Sequence, residues 1–313
     1  MTLPAWHPHL TTWFLFGGGL VAYLSAVSRH AARNPVEDPT WRRRAKLFTA
    51  GVATLWVGAD WPIHDLAERA LYSMHMVQHL LFTFVAPPLL IAGVPAWMLR
   101  RALAVRPVRA VFTFWTRPLV ALLTFNAILL FTHWPTIVDA SVRSEWTHFG
   151  LHVLIVLSAL VMWWPVMSPL PELPALSPPG QMLYLFLQSL APTIPASFLT
   201  FGHTLLYPVY GTFPRIWGVS ALTDQLLAGL TMKLVGGAIL WVYIGTIFFR
   251  WHAREERGGR LDVRHAVLHR PRAVARDFVA CAHRDGEILV PRDLPVVRGI
   301  FIEEHGPLRL CVR

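Results

Sequence analysis

The 313 residues are 54% hydrophobic and only 15% charged, with a mean hydropathy of +0.45. Water-soluble domains sit near ~45–50% apolar and ~25% charged, so an ordinary soluble fold is excluded. The apolar residues are blocked into long runs, which argues for membrane helices and against a barrel of alternating strands. The net charge of +10 invites a nucleic-acid reading. The Arg residues concentrate between apolar runs and in the tail, however, so topology is the better explanation and no nucleic-acid partner is expected. Cys281 and Cys311 match neither a paired-Cys metal pattern nor a disulfide framework.

In chain order, the first run covers Leu10 to Ser28 and lacks the positive segment of a secretory signal, so it is expected to remain as an anchor. A basic stretch follows (Arg29, Arg33, Arg42, Arg43, Arg44, Lys46). Run two spans roughly Leu47 to Trp61, and run three Met74 to Met98, trailed by Arg100, Arg101, Arg106, Arg109 and Arg117. Run four covers Pro118 to about Val138, run five about Trp146 to Met167, run six Gln181 to Phe201 with Pro192 and Pro195 inside it, and run seven Leu222 to Phe249. The expected architecture is all-α: a polytopic seven-helix transmembrane bundle over residues 1–250 and a small basic tail over 251–313. The Lys/Arg asymmetry predicts an N-terminus outside and a cytoplasmic C-terminus. Within the tail, 288–290 and 300–302 read as short strands. Contact with membrane lipid is expected throughout.

That topology turns scattered histidines into a layer. His75 and His79 open run three and His148 and His152 open run five. Each pair is four residues apart and so lies on one helix face. His133 closes run four, while His64 and His203 lie in outer loops; Asp60, Asp139 and Asp224 share the layer. Polar groups inside a membrane are functional suspects. Neutral imidazole is the commonest metal ligand, and two His pairs on facing helices would build a site between them. Met232 lies on run seven, somewhat deeper, and His with Met or carboxylate suits copper, zinc or iron depending on geometry. A lone His of this kind more often only bridges helices; two pairs at one depth favour a metal or haem site. His7 and His9 read as solvated. Lys233, near the middle of run seven, costs at least ~2.5 kcal/mol there and is expected to lie below the histidines.

The segment His75-Met-Val-Gln-His79, followed by Ala86-Pro-Pro-Leu-Leu-Ile-Ala-Gly-Val-Pro95, resembles the caa3-type cytochrome c oxidase assembly factor family, CtaG. His133-Trp-Pro, His152 before Met162-Trp-Trp-Pro165, Tyr207-Pro-Val-Tyr210 and Asp224-Gln225 with Gly229 and Met232 match in order, over about residues 10 to 250. The resemblance implies a multi-pass protein of a bacterial plasma membrane that is not an enzyme. It would mature a haem-copper oxidase, with an oxidase subunit as partner and copper as the metal, at positions matching His75, His79, His133, His152 and Asp224. Where the family has an aromatic, this chain has Lys233. Zinc is an alternative metal. The rival readings are a bis-His haem redox protein and a metal-free scaffold for oxidase subunits.

Overall fold

The computed structural model describes residues 6, 9–34 and 39–269, and the side chains of 258–269 are not described. His7, Cys281, Cys311 and the segments read as strands lie outside the described residues. The chain divides into two units, Met1–Arg250 and Trp251–Arg313, and the bundle belongs to the first.

Among the described residues the structure is helical throughout, without a strand. The helices are α1 (Leu10–Arg33), α2 (Trp41–Ala59), α3 (Ile63–Arg69), α4 (Tyr72–Gly93), α5 (Ala96–Ala102), α6 (Arg106–Trp115), α7 (Pro118–Thr132), α8 (Pro135–Arg143), α9 (Glu145–Met167), α10 (Pro178–Phe201) and α11 (221–269). Five of them, α1, α4, α9, α10 and α11, are long and apolar enough to cross a membrane. The count is six if α6 and α7, bent by 75° at Thr116–Arg117, form one broken span. Helix α2 falls short of that test, because its first turns carry Arg42, Arg43, Arg44 and Lys46.

The apolar runs set these helices, and proline sets where they stop. Trp134 is extended, as a residue before proline must be, so run four ends at Thr132 and resumes as the separate helix α8. Run three ends at Gly93 for the same reason, with Val94 extended before Pro95. Helix α10 is interrupted between Gln188 and Thr193, next to Pro192.

Helix α4 lies at the centre. Its C-terminal half packs tightly on α2. A Cβ at Gly93 would sit 2.5 Å from the Phe48 nitrogen, and one at Gly51 would sit 2.8 Å from Leu90 Cγ; only glycine permits that approach. The Tyr23 hydroxyl donates to the Gly93 carbonyl at 2.7 Å, tying α1 to the same end. Helix α9 flanks α4, and the fully buried Trp163 donates its indole N–H to the Thr83 carbonyl at 2.7 Å. That bond falls within a π turn over Leu81–Val85, where backbone groups depart from the regular ladder and cross-helix donors can reach them. A second π turn, Thr231–Val235 in α11, packs against the N-terminal part of α4. Tyr184 and Gln188 of α10 bond Met162 of α9 and Asn126 of α7, the polar glue expected of membrane helices.

Candidate metal centre

Helix α4 starts buried, and no neighbouring side chain caps it. The cap comes from 152 residues away. Asp224, in the first turn of α11, accepts from the Tyr72 N–H at 2.6 Å, the Ser73 N–H at 3.0 Å and the Ser73 hydroxyl at 2.5 Å. A carboxylate there satisfies orphan donors and suits the helix dipole. It fixes the helix end that carries His75 and His79. Tyr72 in turn stacks on His75, with interplanar angle 14°.

From this base the imidazoles converge. Ring centroids of His75 and His79 lie 4.3 Å apart, and those of His148 and His152 on α9 lie 4.1 Å apart. Across the helices, His75 is 5.7 Å from His148 and 5.9 Å from His152, and His79 is 5.6 Å from both His152 and His133. Donor atoms of His75, His148 and His152 all fall within 4.8 Å of one another. A tetrahedral ion with ~2.0 Å bonds wants its nitrogens about 3.3 Å apart, so the three rings would have to draw closer to share one ion.

Five buried ring nitrogens here have no hydrogen-bond partner: His75 Nδ1, His79 Nδ1, His133 Nε2, His148 Nε2 and His152 Nε2. An unsatisfied buried polar atom costs about 1–3 kcal/mol, so five at one place is a standing deficit that a cation would relieve. The donor set fits a bare metal ion. His133 is the most firmly oriented. Its Nδ1 lies 2.7 Å from the Leu129 carbonyl, which assigns the proton to Nδ1 and leaves the Nε2 lone pair free, as for metal-bound histidines. Its own carbonyl accepts from the Tyr207 hydroxyl at 2.7 Å. His133 and His79 border a cavity of ≈ 20 Å³ also lined by Met76 and Met232, room for about one water or ion. The two π turns meet along it, through Thr83, Phe84 and Met232.

Outside the spans, α3 adds a second group. Donor atoms of His64, Glu68 and His148 also lie within 4.8 Å of one another. Glu68 Oε1 is 3.4 Å from His64 Nε2 and 3.2 Å from His148 Nε2, the latter without hydrogen-bond alignment. The fully buried Gln78 holds the other side of His64, its amide nitrogen 3.2 Å from Nδ1 and 2.8 Å from the Gly58 carbonyl it donates to. Burial, and then the neighbouring His148, push His64 down to about 4. Burial pushes Glu68 up to about 7.

The sequence model of the cytochrome c oxidase caa3 assembly factor family matches residues 21–254. The chain belongs to this family. It is accordingly a multi-pass membrane protein. An uncharacterized protein of Mycobacterium bovis and one of Mycobacterium tuberculosis are each 25% identical over 216 residues, 63% of this chain. The match spans about a third of the length of these curated relatives, 32% of each. No solved structure matches.

Of the residues singled out from the sequence, His75, His79, His133, His148, His152 and His64 come together, and Met232 borders the cavity beside His79 and His133. His203 is exposed and joins no such group among the described residues. Asp224 sits on the α4 N-terminus, its oxygens taken by that helix, so its place is support. Asp60 likewise accepts from the Trp13 and Trp56 indoles, and Asp139 pairs with Arg143 at 2.9 Å. His9 departs from its solvated reading: it is half-buried, 5.0 Å from His64 ring to ring and 3.4 Å from Asp65. Lys233 is exposed on the bundle surface. Glu68 was missed. Its signal was the spacing His64–Glu68, i to i+4, on a short segment beside the histidine layer.

Proposed function

We propose that this family member carries copper as cargo, held by imidazoles of α4, α7 and α9 and passed to a haem-copper oxidase subunit. The one observation that carries this is the set of five unpartnered, buried imidazole nitrogens converging from three elements. Imidazole suits copper and zinc alike; the thioethers of Met76 and Met232 at the adjoining cavity tilt the donor set toward copper. The cavity is the size of an ion, which favours a bare metal over a haem macrocycle. The role is assembly rather than catalysis.

In the same reading, α2 and the bent pair α6–α7 complete a seven-span bundle in a bacterial plasma membrane. The basic end of α1, the basic start of α2 and the Arg residues around α5–α6 then face the cytoplasm, and the histidine end faces out. Support comes from the Arg distribution and from α2 lying along α4.

Metal analysis of protein purified without chelators tests the proposal, with His75→Ala, His79→Ala and His152→Ala compared with the parent. About one copper per chain is expected, with a loss of tenfold or more in affinity in each variant. Copper content unchanged in all three defeats it. A Soret band in the parent spectrum would put haem in copper's place.

A further inference from the structure

The two three-ligand groups share a residue. His148 belongs both to the all-imidazole group with His75 and His152 and to the mixed group with His64 and Glu68. Its Nε2 is buried, unpartnered and 3.2 Å from Glu68 Oε1. The two groups also differ in position and chemistry. His75 is buried on α4, whereas His64 and Glu68 are only half-buried on α3, a short helix outside the spans. Two nitrogens and a carboxylate oxygen are the donors of a borderline divalent cation. Three imidazoles with thioethers nearby are a softer set.

We propose that His64, Glu68 and His148 form a second metal site, for a divalent cation, which loads the all-imidazole site through the shared His148. This rests on the copper reading above for what the inner group holds, but the outer group is a binding site in its own right. In this proposal Nε2 of His148 is the donor in both sites, and since one nitrogen cannot serve two ions, the sites fill alternately. An ion captured by Glu68 and His64 moves inward when His148 keeps its bond while His75 and His152 replace the outer pair. The ring centroid of His148 lies 5.7 Å from those of both His64 and His75, so the shared ring is equidistant from a donor of each group. No bond other than metal–ligand bonds changes in this step, and no electron moves. The carboxylate serves capture in two ways: its charge attracts a cation, and it lowers the cost of burying one.

The experiment uses the full chain in detergent with Cu(II) alone as probe, measuring affinity by competition and stoichiometry by metal analysis. The parent should hold one tight ion in the site region rather than two. The double variant His75→Ala/His152→Ala should still bind one ion, at least tenfold more weakly. Adding Glu68→Gln in that background should cost a further tenfold or more, and Glu68→Ala the same, with size-exclusion profile and melting temperature confirming the fold. His148→Ala should abolish both sites together. The isosteric Glu68→Gln keeps side-chain volume, so a binding loss there reports the lost anionic donor and not repacking. Two tight ions at once in the parent, or no effect of either Glu68 substitution in the double-variant background, overturns the proposal. If the double variant binds as tightly as the parent, the inner reading fails while the outer one stands.

Discussion

Helices α4 and α11 have similar apolar content, and both are long enough to cross a membrane, yet 72% of the α4 window is buried inside the bundle against 17% for α11. The buried helix is the one carrying His75, Gln78 and His79, while α11 presents Leu234, Val235, Trp241 and Val242 outward. In water the polar face would be the exposed one. In a bilayer the sign reverses, because lipid solvates Leu as well as the core does and only neighbouring helices can satisfy a polar group. The two helices also depend on each other: α11 supplies the Asp224 that starts α4, and their π turns meet at the cavity.

The largest test of this asymmetry is Asp224→Ala. It leaves the buried Tyr72 N–H and the half-buried Ser73 N–H without this acceptor at the start of α4. Loss of charge-assisted bonds at a buried helix end should cost about 3 kcal/mol, read as a fall in unfolding free energy in detergent. Asp224→Asn keeps an acceptor and should recover part of it. If Ala and parent unfold alike, Asp224 is a ligand candidate again rather than a support.

Trp163→Phe comes next. It retains an aromatic ring in the core but removes the indole bond to the Thr83 carbonyl in the π turn. About 1–2 kcal/mol should be lost, with hydrogen exchange rising at residues 81–85 if the bond holds that turn. Tyr207→Phe removes only the hydroxyl that donates to the His133 carbonyl. About 1 kcal/mol of stability is at stake, together with a severalfold weaker hold on copper if His133 is a ligand. Stability lost with metal affinity intact would make Tyr207 a loop anchor alone.

How much of this was legible beforehand divides along the same line. The apolar runs gave α1, α4, α9 and α10 to within about five residues, because lipid demands continuous hydrophobic segments, whereas α11 continues as helix well past the end of its run at Phe249. The i,i+4 pairs put His75/His79 and His148/His152 on common faces, since helix geometry alone fixes that. What could not be read was where α3 folds back. Its seven residues carry no apolar run, so although His64 was legible as part of the outer layer, nothing in the pattern placed Glu68 beside His148, or His9 beside His64. Asp224 was legible as belonging to the histidine layer but not as a cap, because its partners Tyr72 and Ser73 are 152 and 151 residues away. Proline was read correctly inside α10 but not at Pro135, where it splits run four and thereby leaves His133 at a helix end with its ring turned inward.

The smallest expected effect isolates the lipid term. Leu80 of α4 and Leu234 of α11 are the same side chain on helices of similar composition, 7% and 62% exposed. Leu80→Ala opens a void against Phe84 and Gly236, where a missing group forfeits packing that nothing refills, and should cost about 2–4 kcal/mol. Leu234→Ala leaves no void, because lipid chains close over it, and should fall within about 0.5 kcal/mol of the parent. Measured side by side in detergent and then in bilayer vesicles, the pair separates packing from solvation. Were Leu234→Ala as costly as Leu80→Ala in both, the α11 face would be covered by protein rather than lipid, and this surface would then be where a partner subunit sits.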